Sequence, residues 1–231
     1  MMRIRSVCLA AALAALLPLS CSSILPVSQA PLYYRLVYEP QPVHCDRSFS
    51  GGVRVWPFTE ASPFGHSEMT VLENGRKVAF SSTNRWVSAP GTLVAQSLIR
   101  DLTLEGVFPQ VVSGESPLVV PYEITGRVFE FGWRKEKSSG KAVLKAEVCL
   151  VRRTGAPEVI LRHVYEVESK PFGENSADSF AAAMSEAVGR FSREVRLGLC
   201  KAAVQAAKAS SAPDCGASVP PAETKEGTGS W

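Results

Sequence analysis

A regular apolar stripe near the C-terminal end of the chain restricts the fold more than any other feature of the sequence. Between residues 178 and 207, large apolar side chains recur at spacings of four, four, three and four residues. They are Phe180, Met184, Val188, Phe191 and Val195. Such spacing lines one face of an α-helix, and that face must be buried against another layer. The stripe therefore predicts a long helix, beginning at about Ser176 or Asp178, that packs on a sheet.

Three β-rich segments in series precede this helix and supply the sheet. They span residues 122–133, 142–152 and 159–167, and polar links that contain glycine join them, as expected of antiparallel hairpins. In the middle segment one side carries Leu144, Ala146, Val148 and Leu150. This alternation is typical of a strand with one covered face. In the first segment one side carries Phe129, Phe131 and Trp133, and the pattern leaves open whether this is the opposite side of the sheet.

The N-terminal half adds short strands, a hairpin and a second helix. Residues 53–58 alternate as a strand does, and Asn74-Gly75 between two β-prone runs favours a hairpin turn. A helix is predicted from Ser88, a candidate N-cap, to Gly106, a candidate C-terminal stop. These elements together predict an α+β fold, in which a mixed, largely antiparallel sheet carries two helices on one face.

The N-terminus has the layout of a secretory signal. Arg3 and Arg5 precede a run from Val7 to Leu19 that contains no charged residue. The run is shorter than the roughly 20 residues that span a membrane. It also lacks the polar residues that a core helix shows at every third or fourth position. We therefore predict that residues 1–20 are an export signal.

The signal ends in a candidate lipidation site. The segment LLPLSC resembles a bacterial lipobox, in which the cysteine, here Cys21, is acylated and becomes the mature N-terminus. Pro18 and Leu19 depart from the commonest pattern, so cleavage by ordinary signal peptidase is the alternative. Ser22 stands where an inner-membrane retention signal has Asp, so the expected address is the periplasmic face of the outer membrane. Several acyl chains on Cys21, palmitate among them, would make the anchor effectively permanent.

The chain after the signal is expected to form one domain between two tails. Residues 21–31 contain two prolines and are assigned as a membrane tether, and residues 32–207 form the domain. Residues 208–231 are rich in Ala, Ser, Pro and Gly, a composition that cannot bury enough apolar surface to order itself. Without the two signal arginines, the formal charge of +3 falls to about +1. Because no basic stripe with aromatic residues occurs, nucleic acid is not an expected partner.

Four cysteines follow Cys21, namely Cys45, Cys149, Cys200 and Cys215. An oxidising periplasm permits disulfides, and four cysteines allow three full pairings. We favour Cys45 with Cys200, which closes a loop of over 150 residues and leaves Cys149 as a reduced, partly buried thiol. The helical angle places Cys200 opposite the apolar stripe, pointing away from the core. The competing pair is Cys200 with Cys215.

Sequence motifs for catalysis or metal binding do not occur. There is no CxxC, GxSxG, HExxH, Walker or Rossmann pattern, and His44-Cys45 alone offers too few ligands for a zinc site. Ser113 to Ser116 is expected to form a turn, because no helix follows it. Carboxylates on the predicted strands, such as Glu147, fit a solvated strand face better than acid–base catalysis. We expect no enzyme activity, no metal and no cofactor.

Arg85 and Trp86, with Pro90 just beyond them, form the most specific short stretch. An aromatic side chain at the start of a helix can pack that end of the helix onto the sheet. The other interpretation is an exposed interaction surface made of Arg85, Trp86 and Pro90.

Several segments follow the lipobox cysteine in a specific order: YYRL at residues 33–36, VRVWPFTEASPF at 53–64, RWVSAPGTLVAQSLIRDL at 85–102 and GVFPQVV at 106–112. Taken in this order, they resemble the ABC-type transport auxiliary lipoprotein family. The later YEITGRVFEFGW and the closing amphipathic helix also fit the paraquat-inducible protein C type of lipoprotein in that family. The resemblance covers residues 33–201.

The resemblance implies a small α+β domain similar to the N-terminal domain of the Tol-system protein TolB. It also implies an outer-membrane anchor and a non-catalytic role beside an ABC ATPase, a permease and a mammalian-cell-entry (MCE) domain protein. Together these would move phospholipid or another apolar solute across the periplasm. A homo-oligomer is a further arrangement left open. The alternative function is a structural envelope lipoprotein that supports assembly of a secretion or cell-wall complex.

Overall fold

The computed structural model describes residues 29–135, 139–173 and 176–211, with side chains described as far as residue 208. The chain divides into two units, Met1–Ala30 and Pro31–Trp231. The first unit falls almost wholly outside the described residues. The described residues also exclude the expected signal, Cys21, most of the expected tether and the expected tail from residue 212 onward. The fold below is that of the second unit.

The second unit is a layer of strands with two helices. In chain order the elements are β1 (Leu32–Tyr34), β2 (Val53–Val55), β3 (Thr59–Glu60), β4 (Glu68–Glu73), β5 (Lys77–Trp86), α1 (Pro90–Glu105), β6 (Val111–Ser113), β7 (Tyr122–Lys135), β8 (Gly140–Arg152), β9 (Glu158–Glu168) and α2 (Ala177–Ser211). Strand β7 pairs along its length with β8, and β8 pairs with β9, both in antiparallel fashion. The three meandering strands that the sequence predicts are therefore present.

The other edge of β7 pairs with short strands in succession. β2 pairs near Tyr122, β3 near Arg127 and β4 near Trp133, all parallel to β7. β6 continues the sheet beyond β2, while β5 and then β1 continue it beyond β4. The β4–β5 hairpin turns at Asn74 and Gly75 with φ angles of 52° and 66°, as the turn prediction requires. The predicted α+β class, with its mixed, largely antiparallel sheet, is confirmed.

A bulge in β7 sets which side of the sheet its aromatic residues face. Val128 pairs with Ala146, and Phe131 pairs with Leu144, so the ladder skips between Val128 and Glu130. An extra residue in a strand shifts the alternation of all residues after it. Phe131 therefore shares the covered face with Leu144, and Phe129 does not share it. The expectation that Phe129, Phe131 and Trp133 line one side is wrong for Phe129.

Helix α1 begins with a cap that comes from outside its own sequence. The expected N-cap, Ser88, is wrong, because Ala89 holds that position and makes no side-chain capping bond. Instead, the Gly91 N–H donates a hydrogen bond to Glu60 Oε1 at 2.9 Å, which satisfies one of the unpaired donors of the first turn. Gly106 ends the helix in the left-handed conformation, as predicted.

Helix α2 buries the apolar stripe against the sheet. All five stripe residues are buried, and they join a single core with Leu98 and Leu102 of α1 and Leu144 of β8. Burial of each large apolar side chain contributes about 1.5–3 kcal/mol. Both helices lie over the same face of the sheet. The opposite face, which we call the outer face, carries polar side chains such as Lys145 and Glu147.

Candidate functional site

Residues 35–45, which we call the strap, run from β1 across the two helices. Three backbone groups of the strap bond to helix side chains: Val37 N–H to Ser185 Oγ (3.0 Å), Val43 N–H to Glu105 Oε1 (2.7 Å), and the Gln41 carbonyl to Arg196 Nη2 (2.9 Å). The strap is therefore fastened to both α1 and α2. Because it follows β1 directly, it connects the N-terminal side of the domain to the helix layer.

A disulfide joins the end of the strap to α2. It links Cys45 to Cys200, the pair favoured from the sequence, with the two Cα atoms 5.3 Å apart. The expected orientation of Cys200 is wrong, since its side chain is only 7% exposed and belongs to the core. The strap covers the face of α2 that the stripe leaves open, so that face is buried as well. Cys149 is a free, partly buried thiol, and burial raises its pKa.

Asp101 of α1 is fully buried beneath the strap. Its Oδ2 accepts hydrogen bonds from the Tyr38 hydroxyl (2.8 Å) and the Ser192 hydroxyl (2.6 Å), and its Oδ1 pairs with Arg100 Nε (2.8 Å). A buried carboxylate needs such partners, because its desolvation is costly without them. Burial, and after it the charge of Asp101, raises the pKa of Tyr38. The tyrosine hydroxyl therefore stays protonated and donates to Asp101.

Arg196 of α2 is the second fully buried charge of this interface. It forms an ion pair with Glu105 at the last turn of α1, and its Nε donates to the Ser192 carbonyl at 3.2 Å. Removing one partner of such a pair leaves the other charge uncompensated in the interior. The two helices and the strap are thus held in one mutual arrangement.

The strap-facing side of α2 carries a second stripe that the sequence reasoning missed. It consists of Ser185, Gly189, Ser192, Arg196 and Cys200, at spacings of four, three, four and four residues. These residues are small or polar, so the periodicity of apolar residues does not reveal them. An arginine in line with a glycine and two serines on one helical face is the signal that could have revealed it.

An open groove lies between β9 and the C-terminal half of α2. It consists of two adjoining hollows of about 470 Å³ and 420 Å³, and Ala202 and Gln205 line both of them. Ile160 and Leu161 line the β9 side. Each volume lies within the range of small-molecule sites in proteins. Within the described residues β9 pairs only with β8, so its other edge carries no strand.

Small residues of α2 and a buried tyrosine shape the groove. A Cβ atom on Gly198 would lie 2.4 Å from Tyr165 Oη, so a larger residue at this close approach would require the tyrosine to shift. Burial, followed by the nearby charge of Glu194, raises the pKa of Tyr165 to about 12, and the phenol is therefore neutral. Lys201 and Glu194 stand among the lining residues. The groove combines an apolar wall with charged residues, an arrangement suited to an apolar chain that has a polar end.

The second interpretation of Arg85, Trp86 and Pro90, as an exposed interaction surface, does not hold for two of the three residues. Trp86 is 1% exposed, and its ring packs edge-on against Phe131 with the centroids 5.5 Å apart. Pro90 is buried too. Arg85 is partly exposed and pairs with Glu68 at 3.3 Å. Trp86 is therefore a packing residue, but its ring lies between Phe131 of the sheet and Phe180 in the first turn of α2, with the Trp86 and Phe180 centroids 5.6 Å apart.

The remaining sequence candidate, Ser113 to Ser116, forms the expected turn, which is closed by a hydrogen bond from the Ser116 N–H to the Ser113 carbonyl at 3.1 Å. Among the side chains that the structure describes, no three of His, Cys, Asp or Glu converge as metal ligands. Of the helices in the described ranges, none has the length and hydropathy needed to cross a membrane.

The fold places the domain in a structural class with solved members. A crystal structure of a Xanthomonas campestris protein of the DUF330 family aligns with a TM-score of 0.67 at 14% identity, covering 78% of this chain and 100% of that one. A second crystal structure, of an uncharacterised protein, aligns with a TM-score of 0.56 at 14% identity, covering 72% and 97%. At this level of identity, the likeness shows the shared α+β fold.

A family model matches the sequence itself over residues 63–196, and it describes the ABC-type transport auxiliary lipoprotein component. The chain belongs to this family, and the resemblance inferred from its segments is confirmed. The matched range includes α1, the three meandering strands, the buried charges Asp101 and Arg196, and Glu105, which pairs with Arg196. No curated protein matches the sequence.

Proposed function

We propose that the protein is a non-catalytic auxiliary subunit of an ABC/MCE-type system that moves phospholipid or another apolar solute across the periplasm. The observation that carries this proposal is the family match over residues 63–196. In this proposal an MCE-domain protein, an ABC permease and an ATPase are the partners. The role as a structural envelope lipoprotein in a secretion or cell-wall complex is the second candidate.

The proposal anchors the protein through acylated Cys21 to the periplasmic face of the outer membrane. The tether would join the domain at β1, and the strap that follows β1 is bonded to both helices and to Cys200. Such a connection would hold the helix layer, and the groove along α2, at a fixed distance from the point of attachment. This is what a subunit that receives or presents a membrane solute requires.

The groove beside β9 is the proposed contact for the apolar part of the transported molecule. Ile160, Leu161 and Ala202 give it apolar walls, and Lys201 lies where a polar end could bind. A tryptophan at Ala206, which lines the groove, would fill it without changing the strap or the buried charges. Ala182, an exposed alanine on the same helix, offers the matched control.

The test is complementation of a deletion strain, together with purification of the protein from solubilised envelope. We expect the deletion to increase detergent sensitivity and to change the outer-membrane lipid balance. Wild type and Ala182→Trp should restore both properties, and Ala206→Trp should not, although both variants unfold at the same temperature. Wild type should co-purify with a transporter component and lipid. Repeated recovery of a secretion or cell-wall complex, with no transporter component, would establish the second candidate instead.

A further inference from the structure

The loop between β6 and β7, residues 114–121, exposes apolar side chains while its backbone is firmly held. Leu118 is 48% exposed and Val119 is 97% exposed, and the neighbouring Trp56 is 39% exposed. We call Trp56, Leu118 and Val119 the apolar knob. Leu118 and Val119 are consecutive in this loop, and Trp56 lies against Gly114 of the same loop. Exposed apolar side chains that are grouped on one surface mark a site of interaction with a protein, a ligand or a membrane.

The topology places this loop on the outer face of the sheet. β6 and β7 are both parallel to β2 and pair with its two edges, so the loop between them must cross β2. Arg54 has buried neighbours on either side in β2 and therefore points to the outer face. Its guanidinium donates to the carbonyls of Gly114 (2.9 Å), Ser116 (2.7 Å) and Leu118. One side chain thus holds three points of the loop.

Close packing fixes both ends of the loop. A Cβ atom on Gly51 would lie 2.3 Å from Pro121 Cγ, and one on Gly114 would lie 2.7 Å from Trp56 Cε3. The Pro121 carbonyl also accepts a hydrogen bond from the Arg153 N–H at 2.7 Å. The backbone of the loop is therefore held at several points, and binding through the knob requires little ordering of the loop.

We propose that the apolar knob inserts into the interfacial region of the bilayer that holds the protein's own lipid anchor. Three partly exposed side chains offer on the order of a few hundred Å², well below the roughly 800 Å² per partner that stable protein interfaces bury. A bilayer needs no complementary surface and gains from each apolar side chain that enters it. Tryptophan, moreover, is enriched at the membrane–water interface. The inference rests on the proposed anchor at Cys21.

The tether is long enough for the anchor and the knob to meet the same bilayer. Pro31, where the second unit begins, lies ten positions after Cys21, and ten residue steps span at most about 36 Å. β1, which the tether joins, lies in the same sheet as β2. The loop adds one layer to the outer face of β2, and packed layers are about 10 Å apart. A bilayer facing the knob is therefore within reach of the tether.

The experiment uses the lipidated full chain in vesicles of phosphatidylethanolamine and phosphatidylglycerol with brominated acyl chains, which quench tryptophan. The background is Trp231→Phe, because Trp231 lies outside the described residues, and Trp86 and Trp133 are buried. We expect strong quenching that is mostly lost when Trp56→Phe is added. Val119→Asp should weaken the quenching, and Val87→Asp, at another exposed valine, should not.

Vesicle flotation separates failure of the knob from failure of the anchor. Protein that floats with the vesicles while Trp56 stays unquenched would overturn the proposed insertion of the knob and leave the proposed anchor intact. Protein that does not float would overturn both. A photo-crosslinker at position 119 should capture lipid in cells, and capture of a periplasmic protein in its place would overturn the proposal in favour of a protein docking site.

Discussion

At the scale of single residues, the interface between α1 and α2 depends on paired charges that lie far apart in the sequence. Arg196 and Glu105 are 91 positions apart, yet they form an ion pair in the interior. We predict that Arg196→Met lowers the free energy of unfolding by about 3–5 kcal/mol, because it leaves the Glu105 carboxylate, whose side chain is only 9% exposed, without a counter-charge. Urea unfolding measures this loss.

The double variant Arg196→Met with Glu105→Met is the control for that prediction. It removes both charges and keeps similar volumes, so it should recover part of the lost stability. The part that is not recovered corresponds to the hydrogen bonds that Val43 and Gln41 of the strap lose. An equal or larger loss in the double variant would mean that packing and these hydrogen bonds, and not the uncompensated charge, determine the effect.

A second residue-scale prediction concerns the pH dependence of stability. The hydrogen bond from Lys141, the charge of Lys141 and the nearby Arg134 together lower the pKa of Glu168 below 4.5, although burial opposes them. A carboxylate whose pKa is lower in the folded state stabilises the fold above its unfolded pKa. That contribution is lost as the pH falls from about 4.5 through the folded pKa.

We therefore predict that wild type is more stable than Glu168→Gln at pH 7 and that the difference shrinks as the pH falls below about 4.5. Thermal unfolding across this range measures the difference. Arg190→Gln is the control, because Arg190 Nη1 donates to the backbone carbonyl of Glu168 and not to its carboxylate. A stability difference between wild type and Glu168→Gln that is independent of pH would contradict the prediction.

At the scale of elements, the local sequence pattern predicts the structure wherever a few neighbouring residues specify it. Three features show this, and the structure has all three: the stripe of α2, the alternation in β8 and the Asn74-Gly75 turn. The bulge at Phe129 and the cap from Glu60 were not predictable in this way. Both depend on a partner strand whose position only the folded chain defines.

The features of the candidate site differ in the same way, since some could be predicted from the sequence and others depend on the folded chain. The pairing of Cys45 with Cys200 could be argued from connectivity, whereas the burial of Cys200 could not, because it requires the strap to cover α2. The groove beside β9 arises from the spacing between two elements, and no residue pattern along either one describes it. Trp86 was ambiguous for a similar reason, since an aromatic residue at the start of a helix suits a core as well as a surface.

The disulfide gives a prediction at this scale, since it fixes the strap to α2. It joins residues 155 positions apart, a separation for which the chain-entropy model gives on the order of 5 kcal/mol. We predict that Cys45→Ser with Cys200→Ser lowers the free energy of unfolding by about 2–5 kcal/mol. Denaturant unfolding measures this loss, and Cys149→Ser, at the free thiol, should leave stability nearly unchanged. An equal loss of stability in the Cys45→Ser, Cys200→Ser variant and in Cys149→Ser would show that the disulfide contributes nothing specific.

At the scale of the whole molecule, the N-terminal side of the domain is connected to every feature proposed to be functional. β1 leads into the strap, the strap binds both helices, and α2 lines the groove. The knob lies on the other side of the sheet, which neither α1 nor α2 covers. One face of the sheet therefore packs against the helices, and the other carries the knob that we propose meets the membrane.

The anchor itself is therefore the last prediction. We predict that Cys21→Ser releases the protein into the soluble periplasmic fraction or leaves it as uncleaved precursor, because serine cannot carry the thioether-linked lipid. Cell fractionation with immunodetection measures this, and Cys149→Ser should remain in the outer membrane. The knob alone would hold the protein only weakly, since a few apolar side chains replace several acyl chains at about 0.8 kcal/mol per buried methylene. A processed Cys21→Ser protein that stays in the outer membrane after a carbonate wash would refute lipidation and support cleavage by ordinary signal peptidase.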